Sequence, residues 1–146
     1  MINIKRIDSS NSSDLELLQV FLEVAGNSLE SFRYFASRPL SIIKKHLLTI
    51  IVLENRTPVG YGHLDPENGN CWLGICVAEK AKGNSYGKMI MNELVGYADQ
   101  MKFELMLSVD CTNRVAIELY KKYGFSVIDT NSNKFHLMKR LPLELL

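Results

Sequence analysis

The stretch Val77-Ala78-Glu79-Lys80-Ala81-Lys82-Gly83-Asn84-Ser85-Tyr86-Gly87-Lys88 constrains this chain more than any other: a strand ends, a short basic loop follows and a helix begins. Upstream, residues 47–53 are rich in β-branched side chains, Glu54-Asn55-Arg56 is a turn set, and residues 59–64 form the return strand. A turn cluster over residues 65–70 leads into residues 71–77, the third strand of an antiparallel meander. Downstream, Ile90, Leu94, Ala98 and Met101 share one face of a helix, and Leu105, Leu107 and Val109 then alternate as a strand. The fold must therefore pass from a meander into a helical crossover.

The loop has chemistry of its own. A helix start exposes unpaired backbone N–H groups, which suit an anion. Gly83 and Gly87 let the backbone approach a phosphate, while Lys80, Lys82 and Lys88 add positive charge, so a pyrophosphate is a natural guest. A nucleoside-triphosphatase loop needs four residues between its glycines and Ser or Thr after the lysine. Here three residues separate Gly83 from Gly87, and Met89 follows Lys88. A dinucleotide fingerprint needs a third glycine and an opening βαβ unit, where this chain has a meander.

The remaining elements fit around this centre. Residues 3–7 read as a strand, and Asn11 to Asp14 supply cap side chains before Leu15, Leu18, Phe21 and Leu22, whose spacing predicts a helix ending at Gly26. A second short helix is expected over residues 28–36, stopped by Arg38-Pro39, with a further turn over 42–46. A last helix runs over 114–122 and closes at Gly124; strands follow at 125–128 and 134–138. The order β-α-α-β-β-β-α-β-α-β-β places the chain in the α/β (α+β) class. It predicts one domain, residues 1–146, with a mixed, mostly antiparallel sheet of about six to seven strands flanked by about four helices.

Bulk properties exclude more than they select. Seventeen basic against sixteen acidic side chains leave a net charge of +1, which argues against a broad nucleic-acid or acidic-membrane surface. The longest apolar run is far short of the ~20 residues a membrane helix needs, and residues 1–14 lack the apolar core of a secretory signal. Three cysteines, Cys71, Cys76 and Cys111, read as reduced thiols in a cytoplasmic protein, and no metal site is expected.

A second motif lies in Asn113-x-x-Ala116-x-x-x-Tyr120-x-x-x-Gly124-Phe125. Asn113 sits where a helix cap is wanted, and Ala116 and Tyr120 fall near its face. Together with Lys82-Gly83-Asn84-Ser85-Tyr86-Gly87, this stretch resembles the two signatures of the GNAT superfamily of acyl-CoA-dependent N-acetyltransferases. The resemblance covers residues 47–138. The family's loop is usually written Q/R-x-x-G-x-G/A; Lys82 holds the basic place, Gly87 the last, and Ser85 stands where the middle glycine usually is.

The resemblance implies acetyl-CoA as co-substrate and a primary amine as acceptor, with direct attack on the thioester through a tetrahedral intermediate. It implies that main-chain groups of Ile75, Cys76 and Val77 meet the pantetheine arm, that Lys82, Gly83, Asn84, Ser85, Tyr86, Gly87 and Lys88 hold the pyrophosphate, and that Asn113 bonds the cofactor arm. Tyr120 is implied as proton donor to the leaving thiolate. A thiol titrates near about 8.5 and a phenol near about 10, so that transfer suits a late, hydrogen-bonded step. His63, on the return strand, and Asp110, at the end of the strand through Leu105, Leu107 and Val109, are the candidate bases.

The family's acceptor pocket is usually walled by the first two helices and their loop, here residues 24–38. Arg33 and Tyr34 in that aromatic-rich segment suit a flat polar or anionic acceptor such as a nucleotide-linked amino sugar. The expected partner is thus a small-molecule amine, with no nucleic acid and no membrane. The apolar tail, residues 141–146, permits a homodimer. The alternatives are a protein or peptide amine acetyltransferase and a non-catalytic CoA-binding sensor or interaction module.

Overall fold

Asn11 begins the first helix as its position requires: its side-chain oxygen accepts from the backbone N–H groups of Ser13 and Asp14, at 2.9 and 3.2 Å. The computed structural model describes residues 1–143. In chain order, β1 (Ile2–Arg6) and α1 (Ser12–Val24) are followed by β2 (Leu48–Glu54), β3 (Thr57–Glu67) and β4 (Asn70–Val77). Then come α2 (Tyr86–Met101), β5 (Leu105–Asp110), α3 (Arg114–Lys122), β6 (Ser126–Asn131) and β7 (Phe135–Arg140). The seven strands form one sheet in the order β1-β2-β3-β4-β5-β7-β6, the mixed, mostly antiparallel sheet expected from the sequence.

The region between α1 and β2 differs from the reading of the sequence. In place of a helix over residues 28–36 there are two 3-10 turns, Gly26–Glu30 and Tyr34–Ala36, with a third over Leu40–Lys45. Phe32, Tyr34 and Phe35 lie too close in sequence to share one helical stripe, yet all three rings pack inward, with Tyr34 4.9 Å and Phe32 6.2 Å from Phe35. A tighter, irregular backbone allows this.

Two glycines on β3 let the crossover helix sit close to the sheet. A Cβ built on Gly62 would lie 2.5 Å from Ile90 and 3.1 Å from Leu94, and one on Gly60 would lie 3.0 Å from Ile90. Ile90 and Leu94 are fully buried in α2, as their spacing predicts. The far end of α2 is fixed by Arg140, buried at the end of β7. Its guanidinium donates to both Asp99 oxygens, at 2.7 and 2.9 Å, and to the Tyr123 carbonyl. That pairing holds the Asp99 carboxyl below its ordinary value.

One junction in the sheet stands apart. All neighbouring strands run antiparallel except β4 and β5, which pair in parallel at a single position, Trp72 with Met106. Past that point β4 continues to Val77 on β3 and β5 to Asp110 on β7 without pairing with each other. Residues 144–146 of the apolar tail lie outside the described residues. Among those described, no helix is long and apolar enough to cross a membrane.

Gly62→Ala should destabilise the fold by about 1–3 kcal/mol, because the added methyl has no room beneath Ile90. Urea unfolding checks this; a midpoint equal to that of the unsubstituted protein would mean that α2 does not sit at this distance from β3.

Candidate functional site

The parting of β4 from β5 leaves backbone groups without strand partners, and the ladder on the other side of β4 identifies them. Ala78 N–H donates to the Val59 carbonyl on β3 at 2.9 Å. Because successive residues of a strand alternate direction, Cys76 also turns its N–H and C=O toward β3, whereas Ile75 and Val77 turn theirs to the open side. The Val77 carbonyl is met there by the Ser28 hydroxyl at 2.6 Å.

A cavity of ≈ 720 Å³ fills this opening. Ile75, Cys76 and Val77 form one wall, the loop and helix start from Lys82 to Lys88 a second, and α3, including Asn113 and Tyr120, a third. Ser28, Ser31 and Phe32 close a further side.

The helix start is arranged for an anion. Ser85 occupies the cap position in the left-handed region, φ 66°, and its side chain makes no capping hydrogen bond. The first intrahelical bond runs from Met89 N–H to the Ser85 carbonyl, leaving the N–H groups of Tyr86, Gly87 and Lys88 ahead of it. Gly83 has φ 89° and open space where a side chain would be. Tyr86 contributes backbone only, since its hydroxyl donates to Glu54 at 2.7 Å. Asn84 lies off the cavity wall and turns its amide back to the Ala81 carbonyl. Lys82 and Lys88 line the cavity; Lys80 does not.

On α3, the Asn113 side-chain oxygen accepts from Ala116 N–H, so its amide NH₂ is the part left to meet a ligand. Tyr120 is 8% exposed, and burial raises its phenol well above the ordinary value. Burial likewise pushes the Cys76 thiol up to about 12. Both groups are protonated at neutral pH, which suits a proton donor and makes Cys76 a poor nucleophile.

The remaining predicted residues lie elsewhere. His63 is buried and off the cavity wall; its Nδ1 is 2.6 Å from the Tyr61 hydroxyl, and a Cβ on Gly74 would lie 2.5 Å from its Nε2. Burial, with His46 and Arg38 nearby, lowers its pKa well below the ordinary value. With the phenol as donor to Nδ1, the neutral ring carries its proton on Nε2. Asp110 and Arg33 meet each other: both Asp110 oxygens accept from the guanidinium, at 2.9 and 3.3 Å. Tyr34 donates to Asp65 at 2.7 Å and meets His46 Nε2 at 2.7 Å.

A buried polar chain around Tyr34 is absent from the sequence reading. A carboxylate only accepts, so Asp65 accepts the hydrogen bond of the Tyr34 hydroxyl, His46 Nε2–H donates to the Tyr34 oxygen, and His46 Nδ1 accepts from the Thr49 hydroxyl at 2.8 Å. The His63 ring lies 4.3 Å from Tyr34 and 4.6 Å from His46. Ser28 was also missed as a cavity residue. Its partner Val77 lies far along the chain, and no spacing rule links the two.

Comparison with known proteins adds the following. A family model described as "Acetyltransferase (GNAT) family" matches residues 15–125. PaiA N-acetyltransferase from Thermoplasma acidophilum, solved in complex with coenzyme A, is 21% identical, with 97% of this chain and 99% of that chain covered and a TM-score of 0.73. Ribosomal-protein-S18-alanine N-acetyltransferase from Escherichia coli is 18% identical over 97% and 94%, with a TM-score of 0.72. A phosphinothricin acetyltransferase from Sinorhizobium meliloti, in complex with AcCoA, is 17% identical over 97% and 89%, with a TM-score of 0.70. At these identities the structural likeness speaks for the fold. No curated protein matches the chain.

The polar chain makes stability depend on pH. Burial lowers the His46 pKa to about 4, against the pull of Asp65 in the other direction. Between about pH 6.5 and 4 the unfolded chain therefore binds the extra proton, and stability present above pH 6.5 is lost as pH falls. Urea midpoints measured across that range should decline for the wild type and less steeply for His46→Gln. Parallel declines would remove His46 as the titrating group.

Proposed function

Because the chain belongs to the GNAT acetyltransferase family, we propose that it moves an acetyl group from acetyl-CoA to the primary amine of a small molecule, with residues 1–146 acting as one catalytic domain. The observation that carries this reading is convergence on a single cavity: an uncapped basic helix start, two strand residues with unpaired backbone groups, and a buried phenol. A co-substrate with an anionic pyrophosphate and an amide-bearing arm fits that donor set.

In this reading the N–H groups of Tyr86, Gly87 and Lys88 and the ammonium groups of Lys82 and Lys88 hold the pyrophosphate. The N–H and C=O of Ile75 and the N–H of Val77 pair with the pantetheine amides as an added strand would, while Cys76 contributes only its side chain. The Asn113 NH₂ supplies one more donor. The amine nitrogen bonds to the acetyl carbon, the carbon–sulfur bond breaks, and Tyr120 protonates the departing sulfur. A proton released from the new ammonium then restores the phenol, so the reaction is balanced without a net proton at Tyr120.

No base role is assigned to His63 or Asp110. The first has Nδ1 occupied by Tyr61 and lies off the cavity wall; the second has both oxygens held by Arg33. The acceptor is proposed to react as the free amine, which favours amines of lower pKa than lysine. Arg33, being paired, offers no free charge to an anionic amino sugar, so the reading rests at a small-molecule amine. The size of the cavity supports it: ≈ 720 Å³ must admit the pantetheine arm as well as the acceptor.

Acetyl-CoA should raise the melting temperature, and a panel of amino sugars, polyamines, amino acids and peptides should reveal thiol release with a small amine. No thermal shift at concentrations well above cellular ones would overturn the reading. Tyr120→Phe should lower kcat about 100-fold while leaving the acetyl-CoA shift intact; unchanged turnover would remove Tyr120 from the reaction.

A further inference from the structure

The wall of the cavity carries more positive charge than a pyrophosphate uses. Lys82, Lys88, Arg114 and Lys122 line it, with one carboxylate, that of Glu118, among them. A pyrophosphate diester brings two negative charges, which the start of α2 with Lys82 and Lys88 already matches. Arg114 and Lys122 remain. They stand at opposite ends of α3, about 12 Å apart along the helix axis.

Contacts between the two helices put the Lys122 end of α3, and not the Arg114 end, beside the start of α2. A Cβ built on Gly87 would lie 3.3 Å from Leu119 Cδ2. The Tyr123 hydroxyl lies 3.2 Å from the Lys88 carbonyl oxygen and donates to Asn92 Oδ1 at 2.6 Å. Leu119 precedes Lys122 by three residues, on the same side of the helix, and Tyr123 follows it directly.

The fold itself gives the Lys122 ammonium no partner among the described residues. Glu118, on the preceding turn, stands 3.9 Å from Lys121 instead. The carbonyls of the last turn are also taken: that of Tyr120 accepts from the N–H groups of Tyr123 and Phe125, and that of Lys121 from Gly124 N–H. Lys122 is thus an exposed, unpaired cation on the cavity wall, next to the turn where the pyrophosphate is proposed to sit. In coenzyme A the 3′-phosphate hangs on the same ribose whose 5′-oxygen carries the pyrophosphate. As a monoester it holds about two negative charges near neutral pH.

We infer that Lys122 binds the 3′-phosphate of coenzyme A, so that the cavity distinguishes the 3′-phosphorylated nucleotide from its 3′-dephospho form. The inference rests on the acetyl-CoA reading of this cavity. The contact is a charge-assisted hydrogen bond from Lys122 Nζ to a phosphate oxygen, and Glu118 opposes it as a like charge on the same wall. Its exposure leaves it open to screening by salt.

Calorimetric titration of the full chain with CoA and with 3′-dephospho-CoA tests it. At low salt the unsubstituted protein should bind CoA about fivefold more tightly, and the ratio should shrink as salt is added. Lys122→Gln should weaken CoA by about the same factor and leave dephospho-CoA unchanged, whereas Lys122→Arg should keep most of the ratio. Glu118→Gln should raise it. Lys80→Gln, the same change of charge off the cavity wall, should leave it as it is. Equal losses for both ligands in Lys122→Gln would place that lysine on the pyrophosphate and overturn the inference. So would a Lys80→Gln effect as large as that of Lys122→Gln, which would reduce the preference to the general field of the protein. Tight binding of both nucleotides with a ratio near one sinks the 3′-phosphate subsite alone, while failure to bind either brings down the acetyl-CoA reading with it.

Discussion

The single parallel pairing of Trp72 with Met106 is the constraint on which the rest of the structure depends. A meander can be extended indefinitely by hairpins, but a helical crossover returns the chain in the same direction, and here the returning strand keeps its register with β4 for only one pair. Beyond it, Ile75 and Val77 hold backbone donors and acceptors that a dry interior would not tolerate. The opening must be wet or filled. The protein fills one place itself, with the Ser28 hydroxyl on the Val77 carbonyl, and leaves the others to line a cavity. The binding surface is in this sense the unpaired remainder of the sheet.

Around that opening the ionisable groups are sorted by burial. Cys76 and Tyr120 are held in their protonated, neutral forms, and His46 and His63 in their deprotonated, neutral ones, because removal from water outweighs the pull of any nearby opposite charge, Asp65 on His46 and Lys82 on Cys76 included. Charged side chains line the cavity from the loop and start of α2, Lys82 and Lys88, and from α3, Arg114, Glu118 and Lys122. A net charge of +1 thus coexists with a local excess of cations, Lys82, Lys88, Arg114 and Lys122, on the wall of this cavity. The arrangement places cations where phosphates are proposed to sit and a neutral phenol where a thiolate is proposed to form.

What could be read from the sequence was what depends on neighbours in the chain. Caps at Asn11 and Asn113, the stripe of Ile90, Leu94 and Ala98, the alternation through β2 to β4 and the basic helix start all rest on spacings of a few residues, and each is present. The loop and Tyr120 lie on one cavity because the fold brings two local motifs together, which their order along the chain suggested. The helix expected over residues 28–36 does not form because the conformation of this segment is set by contacts to Val77 and Asp110 and, just before it, of Asn27 to Glu79, all far along the chain. For the same reason the partners of Arg33 and Tyr34 were hidden, and with them the fact that two candidate site residues neutralise one another.

Ser85 shows how a local irregularity and a binding site can be the same feature. An L-residue at φ 66° is held in a conformation that glycine adopts freely and others adopt at a cost on the order of 1 kcal/mol. Serine at a cap position normally recovers such a cost by accepting a hydrogen bond from the first turn, and here it accepts none. The first turn of α2 is therefore strained at its entry and lacks the side-chain acceptor that would finish it. The missing acceptor is supplied by an anion that accepts from Tyr86, Gly87 and Lys88, which offsets the cost of the left-handed Ser85, so the helix start is more stable with such a ligand than without. Binding and local stability are linked at this turn, and the linkage follows from a backbone angle and an absent cap without reference to what the anion is.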